Sequence, residues 1–303
     1  MNYLATVGIM ICCYAVLSTS FNLLLGVTGL FALSHAAFYG LGAYTAGLCN
    51  VDLGLPFAAG LALSMLVPAA ASLLIALPAL RVSGDYLVIA SLGFQFLVFA
   101  ALNNLSAITR GPAGLPGIGR PTLFGIPLTT PLRYLPLAAL VAALCIAAAA
   151  IVAASPFGRV LRGIREDETA TRALGKNVVQ AKIAIFAFAS ALAGAAGCLF
   201  AHHSGFVSPD MFMVDESIYV LAMVLVGGAG STRGALLGAV LLVVLPEALR
   251  FVDLPSAVAG ASRQMLYAAV LLLFLMFRPR GLLPEAGRRP VLPLPLRRAP
   301  ARS

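Results

Sequence analysis

Residues Ser155 to Lys182 run SPFGRVLRGIREDETATRALGKNVVQAK and form a polar island in an apolar chain. The island holds nine charged residues, in a sequence with only 20 Lys and Arg and 11 Asp and Glu. Charge-free runs flank it, Tyr134 to Gly158 on one side and Ile183 to Pro209 on the other. Runs of about 18 or more such residues are long enough to cross a bilayer. The sequence therefore predicts that the island joins two membrane spans at one membrane surface.

The first part of the island is patterned as a surface helix. Ser155 suits an N-cap and Pro156 suits the first helical position. Four apolar residues follow the spacing i, i+3, i+4, i+7 that marks one helix face: Phe157, Val160, Leu161 and Ile164. Glu168 and Arg172 lie four apart and support helix, and Gly175 suits a helix stop. We expect a short helical hairpin that lies flat on the membrane.

The composition of the whole chain is that of a membrane protein. The 303 residues are 61% hydrophobic and 10% charged, whereas an average soluble domain is about 25% charged. Further charge-free runs cover Met1 to Val51, Leu53 to Leu80 and Tyr86 to Thr109. Shorter apolar runs between Ser217 and Phe277 contain glycine breaks, which is typical of discontinuous or re-entrant helices. The predicted fold class is all-α, a polytopic transmembrane helical bundle with about 8–10 spans, some of them short or discontinuous.

Basic residues are distributed unevenly over the two membrane faces. With nine crossings and the N-terminus outside, Arg81, the island, Arg233 and the tail lie on one face and carry fifteen of the 20 Lys and Arg. The positive-inside rule makes that face cytoplasmic. We expect a transmembrane domain over 1–277, with a cytoplasmic loop at 155–182, and a basic Pro/Arg-rich cytoplasmic tail over 278–303 that is disordered.

Motifs for nucleotide or metal chemistry are missing from the sequence. Gly158 and Gly163 have the spacing of a phosphate loop, but the lysine and the hydroxyl residue that must follow are lacking. Neither GxSxG nor HExxH occurs, and the five cysteines lack CxxC spacing. We therefore expect no cofactor, no metal site and no ATP hydrolysis by this chain. An intramembrane enzyme that uses His35 or His202 is the alternative from a different class.

The positions of the acidic and the uncharged polar residues indicate what kind of transporter this chain could be. All acidic residues fall in loops or at the ends of apolar segments, which disfavours a carrier coupled to protons or sodium. Uncharged polar side chains within the spans suit a path for a small zwitterion. The predicted path residues are Asn22, Ser34, His35, Gln95 and Asn103. The alternative is that each of them bonds its own backbone or a neighbouring helix.

The longest outward loop, Ser106 to Arg133, is rich in glycine and proline. These residues favour turns over regular helix, so we expect a compact cap. Such a cap either meets a molecule that arrives from outside or only closes over the helices.

Four stretches together resemble one transporter family. They are GLFALSHAAFYGLGAY (Gly29 to Tyr44), GRVLRGIREDE (Gly158 to Glu168) with Gly175, VGGAGSTRG (Val226 to Gly234) followed by FRPRGL (Phe277 to Leu282), and GPAGLPG (Gly111 to Gly117). In this combination the chain is similar to LivM-type permeases of branched-chain amino-acid ABC importers. The resemblance extends from about Leu17 to Leu283.

The resemblance implies a pore-forming subunit, not an enzyme, in the bacterial cytoplasmic (inner) membrane. Its partners would be a second permease of LivH type, two cytoplasmic ATPase subunits, an extracytoplasmic solute-binding protein and membrane lipid, with no nucleic acid. The cargo would be leucine, isoleucine, valine or a related amino acid, and the alternative within the same architecture is a sugar, urea or another amide.

The resemblance also implies a role for the island as the coupling helices that meet the ATPases. The carried-over contact residues are Leu161, Arg162, Gly163, Ile164, Arg165, Glu166, Asp167, Glu168 and Gly175. One departure is that Gly175 follows Glu168 by seven residues, where the general coupling motif has six.

Overall fold

The computed structural model describes residues 2–79, 85–123, 126–249, 269 and 281–283. The helices are α1 (Asn2–Asn22), α2 (His35–Val51), α3 (Phe57–Ala79), α4 (Asp85–Asn104), α5 (Ser106–Thr109), α6 (Pro131–Ala154), α7 (Pro156–Glu166), α8 (Glu168–Ala173), α9 (Val178–Ser204), α10 (Val214–Gly227) and α11 (Thr232–Leu249). The strands are β1 (Leu115–Pro116), β2 (Thr122–Leu123), β3 (Ile126–Pro127) and β4 (Phe206–Val207). The last part of the predicted transmembrane domain, from residue 250 to its boundary at 277, lies outside the described residues except for residue 269, as does most of the predicted tail.

Five of the described helical segments are long and apolar enough to cross a membrane. They are Asn2–Thr28, Phe57–Ala76, Tyr86–Asn104, Pro131–Ala154 and Val178–Ser204. This arrangement confirms the predicted all-α, polytopic helical bundle. Two further apolar helices, α2 with 17 residues and α10 with 14, extend only about 25 Å and 21 Å. Both are therefore shorter than the hydrocarbon core of about 30 Å.

The two ends of the bundle are distinguished by what they carry. We call the end with the island the island face and the end with the loop 106–130 the loop face. Gly26, near the end of the α1 run, accepts a hydrogen bond from Arg165 of the island. At the other end Asn50, near the end of α2, accepts one from the Gly119 N–H of the loop, at 2.7 Å. The α1 run therefore ends at the island face, and α2 ends at the loop face.

The crossing that contains α2 is interrupted. The α1 run continues as a π-helix over Leu23–Thr28 and is closed by Gly29, whose φ of +76° is a left-handed conformation that favours glycine. Residues 30–34 are not helical. His35, the first residue of α2, bonds Ser20, which precedes Thr28 by about 12 Å along the helix. Thus α2 begins inside the bundle, and non-helical chain forms the rest of the crossing.

The chain re-enters from the loop face in a similar way before α10. A 3₁₀ turn, Pro209–Phe212, follows β4. The Phe212 ring packs edge-on against Tyr39, near the start of α2, with 5.1 Å between centroids. At its other end α10 is followed by a turn in which the Gly230 N–H donates to Asn22 Oδ1 at 2.8 Å. Thus α10 also begins inside the bundle and extends to the island face.

Close packing around α9 holds this core together. α9 lies against both α2 and α3. A Cβ atom at Gly42 would collide with the backbone of Gly194, and one at Gly194 would collide with the carbonyl of Ser64 on α3. Gly197 has the same relation to the Tyr39 carbonyl. Small residues let helix backbones approach closely within a bilayer, and here they fix the position of α2.

The loop at the loop face is turn-rich, as predicted. It contains the single turn α5, a 3₁₀ turn at Gly111–Ala113 and two short antiparallel pairs, β1 with β4 and β2 with β3. Because β4 directly follows α9, the pairing of Leu115 with Val207 ties this cap to the end of the central helix.

Candidate functional site

The island folds as the predicted pair of short helices. The Ser155 hydroxyl accepts a hydrogen bond from the Gly158 N–H at 3.2 Å and caps α7. Asp167 separates the two helices and caps α8, since its Oδ1 accepts from the Ala170 N–H at 2.9 Å. Gly175 follows with a φ of +77°, which allows the chain to turn back toward α9.

The apolar stripe of α7 faces this chain's own helices. Leu161 is 0% exposed and Ile164 is 6% exposed. The helix packs against the π-helical segment Leu23–Thr28 and against α6 and α9. Gly163 is turned toward Thr171 of α8. Leu161 and Ile164 therefore anchor the island to the membrane helices, and a partner protein would have to contact other residues.

Two arginines of α7 strengthen this attachment. Arg165 donates from Nη1 to the Gly26 carbonyl, and its side chain lies so close to Gly29 that a Cβ atom there would be 2.8 Å from Arg165 Cγ. Arg162 donates from Nη1 to the Ala153 carbonyl of α6 at 3.0 Å. The island is thus bonded directly to the chain that leads into α2.

Glu168 joins α8 to the first turns of α9. Its Oε1 accepts from Arg172 Nη2 at 3.0 Å, and its Oε2 accepts from Lys182 Nζ at 2.6 Å. The Lys182 side chain is only 7% exposed. Charge-assisted bonds of this kind are stronger than neutral ones, so α8 is held in a defined position although its surface is open.

The opposite side of the island is open and mostly polar. We call it the exposed island surface. Its residues are Arg159, Glu166, Asp167, Thr169, Ala170, Arg172, Ala173, Leu174, Gly175 and Lys176. Leu174 is 79% exposed, an isolated large apolar side chain among charged neighbours. Such an arrangement suits a protein partner that covers Leu174 and pairs with the charges around it.

A second polar centre lies inside the bundle where α2 begins. The first N–H groups of a helix lack partners within the helix, and in a bilayer such groups must be satisfied by protein. Here side chains from two other helices accept from two of them and from the N–H of Leu33, which lies just before the helix. The pairs are Leu33 N–H to Ser91 Oγ at 2.9 Å, Ala36 N–H to Ser217 Oγ at 2.9 Å and Ala37 N–H to Gln95 Oε1 at 2.8 Å. Gln95 also donates from Nε2 to the Phe212 carbonyl at 2.7 Å, so one side chain connects both interrupted crossings.

His35 and Ser34 lie in the same centre. His35 is 1% exposed and its Nε2 is 2.7 Å from Ser20 Oγ. Within the described part of the chain, His35 Nδ1 and Ser34 Oγ have no hydrogen-bond partner. A catalytic Ser–His pair needs an orienting group on the far nitrogen and access for substrate. This pair has neither among the described residues, so the geometry does not favour catalysis by His35. His202 is 2% exposed, and its Nδ1 lies 2.9 Å from the Cys198 carbonyl of its own helix.

The remaining predicted path residues lie elsewhere. Asn22 is buried near the island face, where it accepts the bond from Gly230. Asn103, near the end of α4 at the loop face, donates to the Phe99 carbonyl of its own helix at 3.2 Å. The structure therefore brings Ser34, His35 and Gln95 together but separates Asn22 and Asn103 from them.

Several residues of the inner centre were not predicted from sequence. Ser20, Ser91 and Ser217 are ordinary serines in apolar runs and carry no motif. Asp215 and Glu216 immediately precede an apolar segment, so the sequence alone predicts that they lie at a segment end. Because α10 begins inside the bundle, that end of the segment does not lie at the membrane surface. The one sequence feature that points to this position is the apolar run after Glu216, which is too short to cross a bilayer.

Comparison with known proteins agrees with this architecture. The family described as "Branched-chain amino acid transport system / permease component" matches residues 3–276. This chain belongs to that permease family. It is 38% identical over 93% of its length to the high-affinity branched-chain amino acid transport system permease protein LivM of Salmonella typhimurium, of which it covers 69%.

Further relatives include one protein that is named for a different cargo. The chain is 36% identical to the LivM protein of Escherichia coli, over 93% of this chain and 69% of that protein. It is 29% identical to the autoinducer 2 import system permease protein LsrC of Yersinia enterocolitica, over 69% of this chain and 60% of that protein. No solved structure matches. The chain is thus a multi-pass permease component of a branched-chain amino acid transport system, and its relatives are transport permeases rather than enzymes.

Proposed function

We propose that this chain is the pore-forming permease subunit of an ATP-driven importer in the bacterial cytoplasmic membrane. It works with a second permease of LivH type, two cytoplasmic ATPase subunits and an extracytoplasmic solute-binding protein. The observation that carries this proposal is the two-sided island. One side is anchored to the membrane helices by Leu161 and Ile164, and the other presents an open surface around Leu174.

The exposed island surface is the ATPase contact. Short helices that seat in a groove of a partner are a common mode of recognition, and α8 with the turn after it offers both an apolar side chain and charges. Glu166, Asp167 and Gly175 belong to this surface. Leu161, Arg162, Gly163, Ile164 and Arg165 support it from behind, and Glu168 fixes its angle to α9.

Force from the ATPases reaches the centre of the membrane through a short connection. Movement of α7 pulls or pushes the end of the α1 run through the bond from Arg165 to Gly26 and the contact with Gly29. Non-helical chain leads from there to His35, where α2 begins. Rigid-body displacement of packed helices about such a connection is a known form of switching. The inner centre therefore changes its exposure when the ATPases close.

The cargo is a branched-chain amino acid, leucine, isoleucine or valine. The support is the family and the LivM relatives at 36% and 38% identity. A different small cargo within the same architecture is the second candidate, and the similarity to LsrC is the observation that favours it. In either case the island and the C-terminal tail lie on the cytoplasmic side, by the positive-inside rule.

Uptake by the complete importer tests both parts of this proposal. Proteoliposomes that contain this chain, the second permease and the two ATPases are loaded with ATP and supplied with binding protein and labelled leucine. We expect accumulation that unlabelled isoleucine and valine compete and that glucose and urea do not. Accumulation by this chain alone, or competition by glucose or urea, would contradict the proposal.

A further inference from the structure

A cavity opens on the surface of the bundle beside the inner centre. It has a volume of about 170 Å³ and is lined by Gln95, Phe96, Phe99, Met213, Val214 and Asp215. It therefore lies between α4 and the point where the re-entrant chain becomes α10. Its walls are mostly apolar, with one amide and one carboxylate.

The cavity lies at mid-length of a candidate membrane span. Gln95 is the eleventh residue of the 20-residue helix α4, which is one of the candidate spans. Asp215 lines the same cavity and precedes Ser217, which bonds the start of α2. Asp215 is therefore located near the mid-plane, although it directly precedes an apolar segment in sequence.

The exposure of Asp215 at this depth needs an explanation. The residue is exposed on the surface of the chain, and a carboxylate that faced lipid at mid-depth would be costly. Ionisable residues within membranes face a protein interior or a water-filled path. No cation among residues 2–79, 85–123 and 126–249 forms an ion pair with it. A carboxylate at this depth therefore suits a surface that faces protein or a water-filled path rather than lipid.

We propose that this cavity is a subsite on the translocation path and that Asp215 receives the ammonium group of the amino-acid cargo. The aromatic rings of Phe96 and Phe99, with Met213 and Val214, form an apolar wall that suits a branched aliphatic side chain. The negative charge is complementary to the ammonium, and Asp215 is the one charged side chain among the described residues that line the cavity. This inference rests on the proposed function, since it requires a cargo with a free amino group.

The test uses the complete importer with Asp215→Asn, which removes the charge and keeps the size. Loss of a hydrogen bond to a charged group lowers affinity about tenfold to a hundredfold. We expect leucine uptake at subsaturating concentration to fall by that factor, while the two permeases and the ATPases still co-purify and ATP is still hydrolysed. Asp215→Glu retains more uptake than Asp215→Asn. The matched control is Asp52→Asn, an exposed carboxylate at the loop face paired with Arg110 at 3.4 Å, for which uptake stays unchanged.

The outcomes separate this inference from the proposed function. Unchanged uptake in Asp215→Asn, or equal losses in the Asn and Glu variants, overturns the subsite while leaving the importer intact. Failure of the second permease to co-purify with Asp215→Asn also overturns it, because the carboxylate then serves an ion pair between subunits. Absence of leucine uptake by the wild-type importer contradicts the proposed function itself.

Discussion

Truncation of Leu161 to Ala separates the anchored side of the island from its open side. Leu161 is 0% exposed between α7 and the membrane helices, and removal of a fully buried leucine side chain costs about 2–5 kcal/mol. Leu174 is 79% exposed, so Leu174→Ala changes the free energy of unfolding by no more than about 0.5 kcal/mol. We expect Leu161→Ala to destabilise the isolated chain, and Leu174→Ala to leave its stability intact and lower leucine uptake by the assembled importer.

The assay is denaturant unfolding of the purified chain in detergent, together with leucine uptake and co-purification of the ATPases for each variant. A Leu161→Ala chain as stable as the wild type would show that the island is not anchored as described. A Leu174→Ala importer with normal uptake and normal ATPase binding would show that the open surface is not used.

Further predictions concern the connection, the inner centre and the helix core. Arg165→Gln removes the guanidinium bond to the Gly26 carbonyl. It should lower the ratio of leucine transported to ATP hydrolysed, while the complex still assembles. An unchanged ratio would refute the proposed connection between the island and the start of α2. Gln95→Leu leaves the Ala37 N–H and the Phe212 carbonyl without their partners. Each loss should lower the free energy of unfolding by about 1–3 kcal/mol, which a denaturant titration of the purified chain measures. An unaltered unfolding midpoint would disprove this role of Gln95. Asn103→Ala removes only a bond to its own helix, so uptake should stay within about twofold of wild type, and a strong loss would return Asn103 to the path.

The island was largely predictable because its structure depends on local sequence. Ser155 and Pro156 define the start of α7, and the periodic apolar residues define its buried side. The apolar periodicity predicts that one face of α7 is buried, but it does not show which helices or which partner protein that face packs against. The sequence resemblance assigned Leu161 and Ile164 to a partner, whereas the structure places them against this chain's own helices, since the nearest apolar surface is the end of the α1 run.

The inner centre was predictable only in part because it depends on contacts between distant segments. Polar residues at membrane depth pointed to Ser34, His35 and Gln95. These residues lie close together because α2 and α10 begin inside the bundle, and hydropathy alone does not show where the two helices begin. Asp215 illustrates the consequence, since a residue at the edge of an apolar run is normally at the membrane surface and here it is not.

The central claim is that separate ATPases drive this chain through the exposed island surface. A photoreactive residue at position 174, in the assembled importer, tests it most directly, with the same residue at position 4 as the control, since Leu4 is 73% exposed at the start of α1. The account predicts a cross-link from position 174 to an ATPase subunit and none from position 4. Co-purified ATPases that never cross-link to position 174, or that cross-link equally to position 4, would contradict it.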